Sequence, residues 1–220
     1  MNKKTLIKIS AVISGVSGLV MIFGILISII RYETLSREKH PVLISPVKTT
    51  LGGVLGWEIK DTTQIGNWFD TSDYSSSNVK NFTYNLSIPS LHIINAEVQY
   101  GGEDLTKSLI QFPGTAIPGK IGNTVIFGHS VLPIFYNPEN YKTIFSKLPS
   151  LKTGDLVEIN FDGVYFKYSV ESKFEVYPED IQILEQEASD SYLTLVTCVP
   201  PGDPRMPRRL IVRAKIIPFN

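Results

Sequence analysis

The chain holds one cysteine, Cys198, at the end of a run reading Tyr192-Leu-Thr-Leu-Val-Thr-Cys198. A thiolate is an intrinsically strong nucleophile, and acyl transfer through it needs a proton-transfer partner and fixed charge where an oxyanion develops. Two residues have the right chemistry. His129 follows Thr124-Val-Ile-Phe-Gly128, whereas His40 and His92 lie in other contexts. Arg209 comes eleven residues after the cysteine and keeps its charge near neutral pH. Each also has a bland alternative: a small buried hydrophobe for the cysteine, a satisfied strand-end residue for the histidine, a salt-bridge partner for the arginine. A single cysteine forms no intramolecular disulfide and no Cys-based zinc site, and no cofactor or metal is expected. Reference pKa values of about 8.5 and 6.5 leave roughly 3% thiolate and 24% imidazolium at pH 7. If the two titrate independently, the doubly competent form is under about 1%.

The elements that carry these residues read as strands. Apolar and β-branched residues lead up to Cys198, and Val199-Pro200-Pro201-Gly202 stops the run, since proline gives no ladder donor. That places the thiol at a rim, within reach of a substrate. Similar runs recur at Leu91–Ala96, Ser108–Phe112, Thr124–Gly128, Leu156–Phe161, Val164–Ser172, Tyr192–Thr197 and Arg209–Ile217. Asp162-Gly163 between two of them signals a type I′ hairpin. A helix is expected at Tyr141–Leu148. Seven or eight strands with little helix suggest a closed barrel or a sandwich.

Strand parity sharpens the picture. Leu210, Val212, Ala214 and Ile216 share one uniformly apolar face, which should be interior, as should Leu193 and Leu195. Cys198 and Arg209 then both project outward, into a groove on the barrel wall. Arg208 has the other parity.

The N-terminus has a different composition. From Ile9 to Ile30 there are 22 residues without Asp, Glu, Lys or Arg, enough helix to cross a bilayer core of about 30 Å. Lys3, Lys4 and Lys8 resemble the basic region of a signal peptide. The apolar run is too long for one, however, and Ile29-Ile30-Arg31-Tyr32 offers no small-residue cleavage site. An uncleaved signal-anchor is the expectation. Arg31, Arg37 and Lys39 on the far side equal the three leading lysines, so basic counts alone do not orient it. Residues 32–85 read as a partly structured stalk. Thr71–Asn85 is dense in polar residues, but Val54, Leu55, Trp57, Ile59, Trp68 and Phe69 are too apolar for a pure linker. They pack on the domain or sit at a membrane interface.

Twenty-one basic residues balance twenty-one acidic ones, so no nucleic-acid partner is expected. The cluster Arg205, Arg208, Arg209, Arg213 and Lys215 fits a solvated strand edge as well as a site.

Four segments together resemble the sortase family. Thr194-Leu-Val-Thr-Cys198 is similar to its TLxTC motif, and Arg209-Leu-Ile-Val-Arg-Ala214 to its arginine-bearing last strand. Gly114-Thr115 with Gly122-Asn-Thr-Val-Ile-Phe-Gly-His129 resembles the segment leading to its histidine, and Ile88-Pro-Ser-Leu-His-Ile93 the start of its domain. The likeness spans Leu86 to Ile217, in the family's order. Ser130, where many relatives carry arginine, and the insert Val131–Asn140 depart from it.

The resemblance implies an all-β, closed eight-stranded barrel at 86–220, behind a cytoplasmic tail and transmembrane anchor at 1–31. It implies a single-pass membrane protein with an extracytoplasmic catalytic domain. The implied reaction cleaves a Leu-Pro-x-Thr-Gly-like signal in surface-protein substrates through a thioacyl-enzyme, then transfers the acyl group to an amine acceptor, a cell-wall precursor or a pilin. Cys198 would be nucleophile, His129 general acid/base, and Arg209 the oxyanion stabiliser. Papain-like proteases place cysteine before histidine, the reverse of the order here. The alternative of a different class is a non-catalytic extracellular β-barrel binding module, in which the three residues are incidental.

Overall fold

Alternating apolar residues after Phe82 fold into strands, and their pairing closes on itself. The computed structural model describes residues 3–39, 41, 63–68, 82–178, 180–186, 189–203 and 208–218. The strands are β1 (Thr83–Ile88), β2 (Ile93–Tyr100), β3 (Leu109–Gln111), β4 (Gly122–Phe127), β5 (Leu156–Phe161), β6 (Val164–Val176), β7 (Ser191–Val199) and β8 (Arg208–Ile216). They form a closed barrel in the order β1-β2-β3-β4-β7-β8-β6-β5. Closure pairs every strand on both sides and removes the exposed edges that invite aggregation.

Two features of this barrel set up the site. The β4–β7 pair is parallel, so both strands deliver their C-terminal ends to one rim. The β7–β8 pair is antiparallel, so that rim also receives the start of β8. The hairpin between β5 and β6 turns through Asp162 and Gly163, both at positive φ (51° and 78°), as a type I′ turn requires.

The segment expected to be helical at Tyr141–Leu148 is a series of turns ending in a 3₁₀ turn, Leu148–Ser150. An α-helix would bond the Phe145 amide to the carbonyl of Tyr141. Here it donates to the carbonyl of His129 instead, at 3.1 Å, while Thr143 and Ser146 make three-residue turns. A tertiary bond outcompetes the local periodicity.

The chain divides into two compact units, Met1–Lys39 and His40–Asn220. The first is one helix, α1 (Lys3–Lys39), which continues past the apolar stretch because no glycine or proline interrupts Arg31–Lys39. Pro41 follows shortly. Its stretch Lys8–Ser36 is long and apolar enough to cross a membrane, and large apolar side chains such as Val12, Leu19 and Phe23 lie exposed along it.

Of the apolar stalk residues, Trp68 is described and fully buried, next to a 3₁₀ turn at Ile65–Asn67. Val54, Leu55, Trp57, Ile59 and Phe69 lie outside the described residues.

Candidate functional site

The β7–β8 register puts Cys198 directly opposite Arg209, followed by Val199 opposite Arg208. Residues directly opposite in an antiparallel pair share a face, with Cβ atoms about 5 Å apart. The other face of the pair carries Leu193 with Ala214 and Leu195 with Val212, as strand parity implies. On the opposite flank of β7, the parallel ladder runs to Phe127 opposite Val196. β4 ends there; continued two residues past that end, the register would set His129 level with Cys198. The exit of β4 and the paired ends of β7 and β8 thus bring histidine, cysteine and arginine to one rim in a row.

Local bonds fix that row at the rim. The Gly128 amide donates to the Val196 carbonyl at 3.1 Å, and Thr197 Oγ1 donates to the Gly128 carbonyl at 2.9 Å. Ser130 Oγ donates to the carbonyl of Cys198 itself at 2.8 Å. The residue that departs from the family pattern is thus a clip between the histidine and cysteine segments. Glycine is needed before His129 because a Cβ there would meet the Phe145 ring at 2.3 Å.

Access differs from the sequence expectation. The pair shares the face opposite Leu193, Leu195, Val212 and Ala214, but neither residue is open to solvent: Cys198 is 1% exposed and Arg209 3%. A buried apolar cluster covers this face, joining Ile65, Trp68, Leu105, Ile110, Phe112, Phe127, Val196, Cys198 and Ile211. Rim placement follows from strand length and exposure from what packs outside the strand, and only the first is local. Trp68 is the closing piece. Its ring lies edge-on to Phe127, centroids 5.5 Å apart, and the Arg209 guanidinium sits 4.9 Å from its centroid. The segment is held by a bridge between Gln64 and Asp104, by the Ile65 amide on the Glu103 carbonyl, and by the Leu105 amide on the Thr63 carbonyl.

Burial pushes the Cys198 thiol up to about 11, against the opposing pull of the nearby Arg209 charge. At pH 7 that leaves a thiolate fraction on the order of 10⁻⁴, far below the value for a free thiol. In this closed arrangement the thiol is protonated.

Arg208 belongs to a different structure. It shares the opposite face with Glu175, a carboxylate with no exposure, and its Nε lies 2.8 Å from Glu175 Oε2. Sequence reasoning missed this pair, because β6 was expected to end at Ser172 and instead runs to Val176. It also left the role of Trp68 open, and the only signal was an apolar cluster in a polar stalk. His92 does not join the row, since it lies exposed between the Pro89–Leu91 turn and β2; His40 lies outside the described residues.

Comparison with known proteins agrees on the family. A family model described as Sortase domain matches residues 86–217. Sortase A of Streptococcus agalactiae serotype III (strain NEM316) is 27% identical over 122 residues, covering 56% of this chain and 44% of that protein. The chain thus matches less than half the length of that relative. Among solved structures, a Clostridium perfringens sortase D5 transpeptidase aligns with a TM-score of 0.53 at 26% identity, covering 64% of this chain and 83% of the other. Sortase A from Corynebacterium diphtheriae aligns with a TM-score of 0.54 at 28% identity, covering 66% and 64%.

Proposed function

The chain belongs to the sortase family, and from that premise we propose that it is a membrane-anchored cysteine transpeptidase acting on surface proteins that carry a Leu-Pro-x-Thr-Gly-like signal. The observation that carries this reading is the register: Arg209 directly opposite Cys198, with His129 two residues past the end of the neighbouring β4.

In the proposed reaction the Cys198 thiolate attacks the threonine carbonyl, and the Arg209 charge stabilises the oxyanion that forms. His129 protonates the departing glycine amine as the peptide bond breaks, leaving a thioacyl-enzyme. It then takes a proton from the incoming amine, which attacks the thioester and releases the thiol. Burial works against the first step, since desolvation favours the neutral thiol. Entry of a substrate carbonyl between Cys198 and Arg209 therefore requires Trp68 to leave the guanidinium. α1 anchors the domain, with the barrel on the outer side of the membrane.

The buried, protonated thiol favours one other reading, a binding module whose cysteine is inert. The two separate in one experiment. The full chain in detergent is incubated with Leu-Pro-x-Thr-Gly peptides and a panel of amines, and products are read by mass spectrometry. A transpeptidase yields cleaved peptide, amine-linked product and an acyl adduct on Cys198. A binding module yields none of these.

A further inference from the structure

The insert Val131–Asn140 departs from the family pattern, and it builds a second concave site. The loop and the turn that follows it are stapled by two phenols to β2 and to the 3₁₀ turn before it. Tyr136 Oη donates to the Leu91 carbonyl, and Tyr141 Oη accepts the Glu97 amide at 2.8 Å. Asn137 and Asn140 brace the turns between them, accepting the amides of Glu139 and Lys142 with their side-chain oxygens at 3.0 Å each. Between the staples lies a cavity of about 250 Å³, lined by His92, Asn95, Ala96, Glu139, Tyr141 and Ile144 among others.

The cavity is at the reactive rim. Because β3 pairs antiparallel with β4 (Ile110 opposite Phe127) and parallel with β2 (Leu109 opposite Val98), extending both ladders puts His129 level with Ser108 and Glu97. Ala96 of the lining adjoins Glu97, so on this register the cavity opens about two strand spacings, roughly 10 Å, from the histidine and about three, roughly 14 Å, from Cys198. One wall is tied to it directly, since Ile144 precedes Phe145, whose amide binds the His129 carbonyl.

The lining is selective in type. Buried Ala96 and Ile144 make an apolar floor. The exposed Glu139, also in the lining, supplies a carboxylate that pairs with no cation among the described residues. Tyr141 Oη accepts the Glu97 amide and still has its own proton to donate. An aliphatic stem ending in an ammonium satisfies both parts, as lysine side chains do when stem and head part company. A reacting amine must be neutral and must reach the thioester, so an ammonium held here is not the nucleophile.

Resting on the transpeptidase reading, we propose that this cavity is a docking subsite for the amine acceptor, and that it takes a second, lysine-type ammonium two to three strand spacings, roughly 10–14 Å, from the amine that reacts between His129 and Cys198. The acceptor class it fits is a peptide with a free amine and a cationic side chain three residues away, since three extended residues span roughly 10 Å and the lysine stem adds the remainder.

The test begins without chemistry. Full-length protein carrying Cys198→Ala is titrated in detergent with Gly-Ala-Ala-Lys amide and with its norleucine analogue, while the Ile144 methyl resonances are followed by NMR. The lysine peptide should bind about tenfold more tightly and shift Ile144, and Glu139→Gln should erase the difference, because it removes a charge-assisted contact from an exposed turn. Equal affinities for the two peptides, or a preference that survives Glu139→Gln, would overturn the subsite. A second arm uses the intact cysteine. Glu139→Gln should raise KM for transfer to the lysine peptide about tenfold and leave hydrolysis of the sorting peptide unchanged. Absence of any cleavage in that arm overturns the transpeptidase reading, and leaves the binding result to decide the subsite alone.

Discussion

Two parts of the molecule meet at Cys198, and they are held in very different ways. The strands β4, β7 and β8 are locked by ladders on both flanks of β7. Among the described residues, the Gln64–Trp68 segment, which closes the site, is tied to the barrel by one isolated bridge, the amide bonds of Ile65 and Leu105, and the packing of Ile65 and Trp68. Shifting the first would break many cooperative hydrogen bonds, whereas releasing the second breaks fewer backbone bonds among the described residues. Segments with few backbone bonds open locally at much lower free energy than core strands. The chemistry is thus built into the rigid part and its access into the weakly held part. Substitutions at Cys198, His129, Arg209, Trp68 and Arg208 put that contrast under strain.

The largest effect belongs to the rigid part. Cys198→Ala should abolish cleavage and transfer in a peptide assay, because no second thiol exists to substitute. His129→Ala should remove nearly all turnover with an unchanged circular dichroism spectrum, and His92→Ala should leave peptide cleavage intact. Equal loss in both histidine variants would count against the row.

Next comes the cross-strand partner. Arg209→Ala should lower kcat/KM at least ~100-fold, the scale for losing one oxyanion donor. Arg209→Lys should recover only part, since a point charge lacks the planar fork. Steady-state kinetics on the three proteins measures this.

The weakly held part should respond in the opposite sense. Burial is what raises the Cys198 thiol to about 11, so Trp68→Ala should lower it. Each unit recovered multiplies the thiolate tenfold below that range. Alkylation of Cys198 at pH 8 should therefore speed up by at least about tenfold, and the pH profile of alkylation should move to lower pH. An unchanged profile would show that Trp68 does not control access.

The smallest effect on turnover is expected at Arg208, although its effect on stability is large. Arg208→Ala removes the cation 2.8 Å from a fully buried carboxylate, a change that costs about 3–5 kcal/mol in comparable buried pairs. Denaturant unfolding should show the loss, and adding Glu175→Leu should restore most of it. Turnover per folded molecule should stay near that of the unmodified protein.

The part of the fold legible in the sequence is the part that local pattern dictates. Runs of β-branched and aromatic residues between turn signals marked seven of the strands, and side-chain parity in the last two put Cys198 and Arg209 on one face and Arg208 on the other, as the ladder has them. β1 went unseen because Thr83–Ile88 mixes Asn85 and Ser87 with its apolar residues and follows a polar stretch. The helix expected at Tyr141–Leu148 failed because the Phe145 amide is claimed by His129, a partner distant in sequence. Burial of the thiol was illegible for a related reason. It depends on Trp68 crossing from the stalk, and nothing in the strand's own residues encodes that contact. Composition could say that Trp68 needed cover, but not where it would find it.

The measurement closest to the central claim is mass spectrometry of the full chain after brief exposure to a Leu-Pro-x-Thr-Gly peptide, quenched in acid to preserve thioesters. The expected result is an acyl adduct localised to Cys198, absent from Cys198→Ala and much reduced in Arg209→Ala. Peptide cleavage that persists in Cys198→Ala, or an adduct that forms equally well without Arg209, would contradict the account.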